Sequence, residues 1–410
     1  MVTYPSEWKE KALGDFISIG RGASPRPIES FLTSSPDGVN WIKIGDAPKY
    51  GMYITRTAER ITPAGAIRSV RVHAGDFILS NSMSFGRPYI LKIDGCIHDG
   101  WLRLYDYNET VDRDFLFYVL ASDETKKQYV AYAAGSGVQN LNKDVVKKVI
   151  VHLPTVKEQK AIAASLSSFD EYISDLAALI EKKKAIREGA VADLMTGKTR
   201  LAGFHEDWIV VPFGEYFAIQ KNNTYARDQL TDHGTVGNIH YGDVLIKYGD
   251  TVSESDAIPF LKPGVAFSEK WLLQKNDVVI ADTAEDETVG KAIQIGDISF
   301  PLVGGLHTIV CRPLTETAPG FLGYYINSRA YHDQLLPHIT GIKVSSVSKK
   351  SIKLTEIRIP GDVKEQEAIA ETLAAMDAEI ASLTIEREKM IQIREGAMND
   401  LLTGRVRLSL

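Results

Sequence analysis

The sequence predicts an α+β fold: two mixed, strand-rich segments joined by two long helices that form an antiparallel coiled coil, the whole a pseudo-two-fold internal repeat. Three observations predict it. First, TVKEQKAIAASLSSFDEYISDLAALIEKKKAIREGAVADLMTGKTRL from Thr155 and DVKEQEAIAETLAAMDAEIASLTIEREKMIQIREGAMNDLLTGRVRL from Asp362 align without a gap at an offset of 207, with about half the positions identical. Second, the apolar residues of both copies fall at alternating steps of four and three, the spacing of a coiled-coil seam. Third, the segments between the copies hold short β-branched and aromatic runs broken by Gly, Asp and Pro, the pattern of strands and turns.

Composition limits the function classes. A chain of 410 residues, 24% charged and 44% hydrophobic, is that of a soluble globular protein with room for two to three domains. No run of about 18 apolar residues exists to span a membrane. The start, MVTYPSEWKEK, lacks the layout of a signal peptide. Cys96 and Cys311 are too few for a disulfide framework or a zinc cluster. The expected setting is therefore cytoplasmic and reduced. The net charge is −6, divided as +3 over residues 1–201 and −9 over the remainder. Binding to nucleic acid would then use local patches, or a partner that supplies phosphate contacts.

Along the chain, residues 1–154 form the first head, with strands expected at VHAGDFILS and DGWLRLYD and a helix over Arg113–Leu120. Residues 155–200 are the first long helix. Residues 201–360 form the second head, with strands at KNDVVIAD, KAIQIGD and HTIVCRP and a helix over Pro319–Leu336. Residues 361–410 are the second long helix. The heads correspond weakly. Glu7-Trp8 and Gly14-Asp15-Phe16 match Asp207-Trp208 and Gly214-Glu215-Tyr216, and GSGVQNLNKDVVKKVIVHLP from Gly135 aligns on GIKVSSVSKKSIKLTEIRIP from Gly341. A shared frame with divergent residues is expected where the scaffold must stay and a reading surface must vary.

Each long helix should begin with a capping box, Thr155 with Glu158 and Asp362 with Glu365. Pro154 and Pro360 keep the approach extended, and Gly197 and Gly404 supply left-handed C-terminal caps. Nearly forty residues of helix span about 55–60 Å. The seam is Ile162, Leu166, Phe169, Ile173, Leu176 and Ile180 in one copy, and Ile369, Leu373, Met376, Ile380 and Leu383 in the other. Gly189 and Gly396 recur within IREGA; a close backbone approach, a bend or inheritance from the duplication would each account for them. Antiparallel pairing makes the heads project in opposite senses, the symmetry of two half-sites on duplex DNA.

Two loops in the heads stand out. NSMSFGRPY offers Asn81, Ser82, Ser84, Arg87 and Tyr89, and DTAEDETVGK offers Asp282, Thr283, Glu285 and Lys291. Short polar side chains beside an Arg or Lys suit base edges and phosphates; they also suit an ordinary solvated loop. Arg21, Arg26, Lys43 and Lys343 are further DNA-binding candidates. No catalytic motif accompanies them. The sequence lacks a Pro-Pro dipeptide, a GxGxxG turn after a strand, a GxxxxGK[ST] loop and an HExxH cluster.

LP or IP, then KEQxxIA, a long helix and IREGAxxxLxTGxxRL, repeated after a variable segment, resembles the specificity subunit of a type I restriction-modification enzyme over the whole chain. The second head departs from the pattern, with GKAIQ for GRPYI and VSS for NLN. The resemblance implies two target-recognition domains, 1–154 and 201–360, in a non-catalytic reader of a bipartite, asymmetric site in double-stranded DNA. It implies two methylation subunits and further restriction subunits as partners, no membrane, and no cofactor in this chain. S-adenosylmethionine, ATP and Mg belong to the partners, which carry out adenine methylation and restriction. The alternative is a coiled-coil scaffold without sequence-selective DNA binding.

Overall fold

In the computed structural model, which describes residues 3–48, 51–81, 86–107, 109–133, 141–341 and 343–409, the repeated segments are helices over Val156–Leu194 and Val363–Leu402. They end at Gly197 and Gly404, whose φ angles of +69° and +70° are left-handed caps. The chain folds as two units, Met1–Ala178 with Thr384–Leu410, and Leu179–Leu383. Each unit thus holds one head and part of both long helices. No helix among the described residues is long and apolar enough to cross a membrane.

Within each unit the helix segments run antiparallel. In the first, Asp170 pairs with Arg394 and Tyr172 with Glu386. In the second, Lys183 pairs with Glu379 and Arg187 with Asp377. Partner numbers fall as the first helix ascends. The apolar stripe is not reserved for the helix pair, however. Ile162 and Leu166 lie in the core of the first head with Leu401 and Leu402, and Ile369 and Leu373 lie in that of the second with Leu194 and Met195. Phe169 and Met376 border those cores. Leu176 and Ile180 are buried, while Ile173, Ile380 and Leu383 are half-buried. A stripe repeating every 3.5 residues presents one apolar face, and here its ends are divided between a head and the other helix.

The capping boxes form only in part. Thr155 Oγ1 accepts from the Glu158 amide at 3.3 Å and Asp362 Oδ1 from the Lys364 amide at 2.9 Å. Glu158 and Glu365 do not reach back to the caps. Their carboxylates are buried and held by Arg407 and Arg200, because guanidinium satisfies two carboxylate oxygens where a cap amide satisfies one. The glutamine of each KEQ closes the junction with the head. Gln159 donates to the Pro154 and Thr110 carbonyls and accepts from the Asp112 amide; Gln366 donates to the Pro360 carbonyl and accepts from the Ala318 amide.

Each head is built on a five-stranded mixed sheet. In the first the order is Ser18–Arg21, Trp101–Tyr105, Phe77–Ser80, Pro88–Leu91, Tyr53–Ile54; in the second it is Phe217–Ile219, Thr308–Pro313, Val278–Ala281, Ala292–Ile295, Thr251–Val252. The order is the same, with the edge strand parallel to its neighbour in both. FILS and VVIA are buried throughout because both faces of their sheets are covered. Phe77 and Leu79 face the core shared with the helices and Ile78 the opposite one; Val278 and Ile280, against Val279 and Ala281, divide likewise.

That opposite core lies against a smaller four-stranded sheet. Three strands correspond: Glu59–Ile61, Val39–Ile42 and Gly95–Ile97 in the first head, and Phe260–Leu261, Gly237–Ile239 and Leu302–Gly304 in the second. The fourth differs, since Val70–Val72 joins one end of the trio and Leu230–Thr231 the other. A ribbon ties each head to its long helix, Lys9–Ala12 with Ile150–Leu153 and Trp208–Pro212 with Glu356–Pro360.

The head helices differ from expectation. The first runs over Arg113–Ala121, capped by Asp112, and is followed by a second helix over Asp123–Ala133. The expected helix over Pro319–Leu336 is broken into Phe321–Asn327 and Arg329–His332. Each break is a serine. The hydroxyls of Ser122 and Ser328 donate to the carbonyls of Val119 and Tyr325, each at 2.6 Å, offering the backbone a partner other than the next turn. Gly189 and Gly396 have open space where a Cβ would stand, so a close backbone approach is not their reason.

Candidate nucleic-acid interface

Four candidate residues of the first head converge on one turn, His98-Asp99-Gly100, between the strands Gly95–Ile97 and Trp101–Tyr105. Arg21 Nε and Asn81 Nδ2 both donate to the Asp99 carbonyl, at 3.0 and 2.9 Å. Arg26 lies 3.6 Å from the Asp99 carboxylate, and Lys43 lines the same groove with His98 and Trp41. Ser24 donates to Asp99 Oδ1 at 2.7 Å, which holds that carboxyl below the usual carboxylate range. Burial pushes His98 down, so its ring is neutral near pH 7. The side chain of Arg26 is 83% exposed, and Arg21 is exposed as well. Lys43 Nζ donates to Glu59 Oε1 at 2.5 Å, so the exposed cations beside this polar, hydrogen-bonded turn are Arg21 and Arg26.

Tyr89 and Asn81 belong to the framework. Tyr89 is buried with its hydroxyl on the Pro48 carbonyl, and the guanidinium of the half-buried Arg87 lies 5.3 Å from its ring. Asn81 is buried, and its backbone is fixed by the Gly100 carbonyl and the Leu141 amide. Its expected role at the surface is corrected: the amide positions the turn. Ser82 and Ser84 lie outside the described residues.

In the second head the same frame carries different chemistry. Asp282 stands where Asn81 stands, its amide on the His307 carbonyl and its own carbonyl on the Val347 amide. Thr283 Oγ1 donates to Asp282 Oδ1 at 2.9 Å, and His307 Nδ1 lies 3.2 Å from the same oxygen. Lys343 is exposed on the loop closed by the Thr340–Ser346 bridge, and Thr283 pairs with Ser346. Lys291 is not available to DNA. Its ammonium donates to the Leu245 and Tyr248 carbonyls at 3.0 Å each, and burial lowers its pKa. It caps the helix Tyr241–Ile246.

Sequence reasoning missed His98, Asp99 and His307. The available signal was a histidine in each head just before the strand that pairs with FILS or VVIA. Neither turn has a motif of its own, and only the strand pairing brings them to positions 81 and 282.

The model of the type I restriction modification DNA specificity domain matches residues 5–186 and again 205–393. The chain belongs to that family. The duplicated match coincides with the two heads and the helix that follows each. Among characterised relatives, this specificity subunit is 24% identical to the type I restriction enzyme MjaVIII specificity subunit of Methanocaldococcus jannaschii, over 98% of this chain and 94% of the relative. It is 25% identical to the EcoKI specificity subunit of Escherichia coli K12, over 49% and 43% of the two chains. Solved structures share the fold. A chain from a study of assembly and conformational transition of the type I R-M system aligns with a TM-score of 0.60 at 17% identity, covering 99% of this chain and 100% of that one. The S subunit from M. genitalium aligns with a TM-score of 0.55 at 16% identity, covering 98% and 96%.

Proposed function

We propose that this specificity subunit is a non-catalytic, cytoplasmic reader of a bipartite, asymmetric site in double-stranded DNA, with one half-site per head. The long helices set the length of the unread spacer between the halves. Two methylation subunits, carrying S-adenosylmethionine, dock along those helices and methylate an adenine flipped out of the duplex. Restriction subunits using ATP and Mg join the same core. Partner-supplied cations reconcile DNA binding with a net charge of −6.

One observation carries this reading. The heads share backbone hydrogen bonds at positions 81 and 282, yet surround them with unlike side chains, Arg21, Arg26 and Lys43 in one and Asp282, Thr283 and His307 in the other. Equal frames with unequal contacts are what a reader of two different half-sites requires. Single-molecule sequencing of N6-methyladenine in cells expressing this chain with a methylation subunit tests it. The expected result is one bipartite motif, modified on both strands and lost on deletion of the chain. Co-purification without chain-dependent methylation would favour a scaffold.

A further inference from the structure

We infer that Asp282, Thr283 and His307 form a base-reading cluster in the second head, whose acceptor face takes the exocyclic amine of adenine or cytosine in the major groove. The inference rests on the DNA-reading function proposed above. It begins with what the cluster offers a ligand. Thr283 Oγ1 and His307 Nδ1 both turn to Asp282 Oδ1. A carboxylate only accepts, so the Nδ1 facing it carries a proton, and in that imidazole tautomer Nε2 is an acceptor. Asp282 Oδ2 has no hydrogen-bond partner among the described residues. The side chains of Asp282 and His307 are 27% and 46% exposed, so both are open to a ligand at the surface. A nucleophile–His–Asp relay needs both ring nitrogens; here threonine and aspartate meet the same one.

The cluster is also held rigid. His307 has a φ of +53°, a conformation uncommon outside glycine. The preceding Gly304 and Gly305 leave no room for a Cβ, which would lie 2.3 Å from Asn222 Oδ1 and 2.6 Å from Asn238 Oδ1. Asn222 Nδ2 donates to the Gly305 and Thr308 carbonyls, and the Tyr241 ring meets His307 edge-on with centroids 5.3 Å apart. Side chains fixed in this way lose little freedom on binding.

Charge then selects the ligand. A carboxylate repels phosphate, so its use on DNA is to accept from a base. Adenine N6 and cytosine N4 are the donors in the major groove. Lys343, on the loop joined to Thr283 through Ser346, supplies the neighbouring cation for backbone contact.

The test maps methylated sites for the complete methylation complex with wild-type chain, Asp282→Asn and His307→Gln. Both substitutions should reduce discrimination at one position of one half-site, by about ten- to a hundredfold, and leave the other half-site unchanged. Whether the relaxed pair is A·T or G·C identifies the amine as adenine N6 or cytosine N4. Retention of the other positions of the second half-site shows that the substituted head folds. An unchanged second half-site, or a uniform fall at every position, would each overturn the inference. Absence of chain-dependent methylation with the wild-type chain would instead remove the function on which it rests.

Discussion

Glu365 and Arg200 form a bidentate ion pair, with Nε–Oε1 2.8 Å and Nη2–Oε2 2.5 Å, in which the carboxylate is fully buried. Glu158 and Arg407 repeat it, each 207 residues away from its counterpart. The glutamate opens one long helix and the arginine follows the end of the other. KEQ and TGxxRL, each repeated in both copies, are thus halves of one contact. Lysine cannot match the two oxygens. Arg200→Lys and Arg407→Lys should each lower the thermal midpoint in scanning calorimetry. Arg405→Lys, at the exposed pair with Asp400, should not.

The interior and terminal glycines should respond in opposite directions. Gly404→Ala would place a Cβ 2.5 Å from Pro5 at a φ of +70° and should cost about 1–2 kcal/mol or more. Gly189→Ala and Gly396→Ala, with open space around them, should stabilise by up to about 1 kcal/mol. Urea unfolding of the purified chain measures both.

Alkaline pH should destabilise the fold through two repeated tyrosines. Tyr118 donates to Asp170 and Tyr324 to Asp377, at 2.7 and 2.8 Å. Burial first, and the carboxylate next, raise both hydroxyls above their ordinary value. A raised folded-state pKa means that the folded chain keeps protons the unfolded chain releases. The stabilisation is therefore complete below pH of about 10 and is lost as pH rises above it. Tyr118→Phe and Tyr324→Phe should each cost about 1–3 kcal/mol at pH 8 and flatten the decline, read from urea midpoints between pH 8 and 11.

Arg87 in the first head and Lys343 in the second should respond in different ways. Arg87→Ala should weaken or relax one half-site only, by about 1–3 kcal/mol if the guanidinium meets a base edge. Lys343→Ala should weaken all sequences alike and reduce the salt slope by about one if the ammonium meets a phosphate. Competition binding to half-site variants at two salt concentrations distinguishes the two behaviours.

The spacer should follow helix length. Four residues, about one turn, inserted at equivalent positions of both long helices should change the spacer of the methylated motif and preserve both half-sites. Altered half-sites would mean that the helices themselves touch bases.

Much of the architecture was legible without coordinates. Periodicity, caps and an ungapped offset mark the long helices, because helix formation depends on local spacing that a sequence displays directly. The FILS and VVIA strands were legible for the same reason. The broken helix around Ser328 was not, since a hydroxyl returning to the carbonyl of Tyr325 leaves the apolar pattern undisturbed. Nor was the fate of Glu158, for which the local capping rule was outweighed by an arginine 249 residues away.

At the site, the sequence by itself determined which chemistry was available: Arg21, Arg26 and Lys43 in one head, Asp282, Thr283 and Lys343 in the other. Tertiary structure decided which of it is free to act. Lys291 and Lys343 look alike in sequence, yet one ammonium is spent on two carbonyls while the other is exposed. Asn81 and Asp282 became equivalent, and His98 and His307 became part of the site, only when strands far apart in the chain paired. The physical reason is that hydrogen-bond partners and desolvation are set by neighbours in space. A residue's type fixes what it can donate or accept, and the fold fixes whether anything remains to be offered to a ligand.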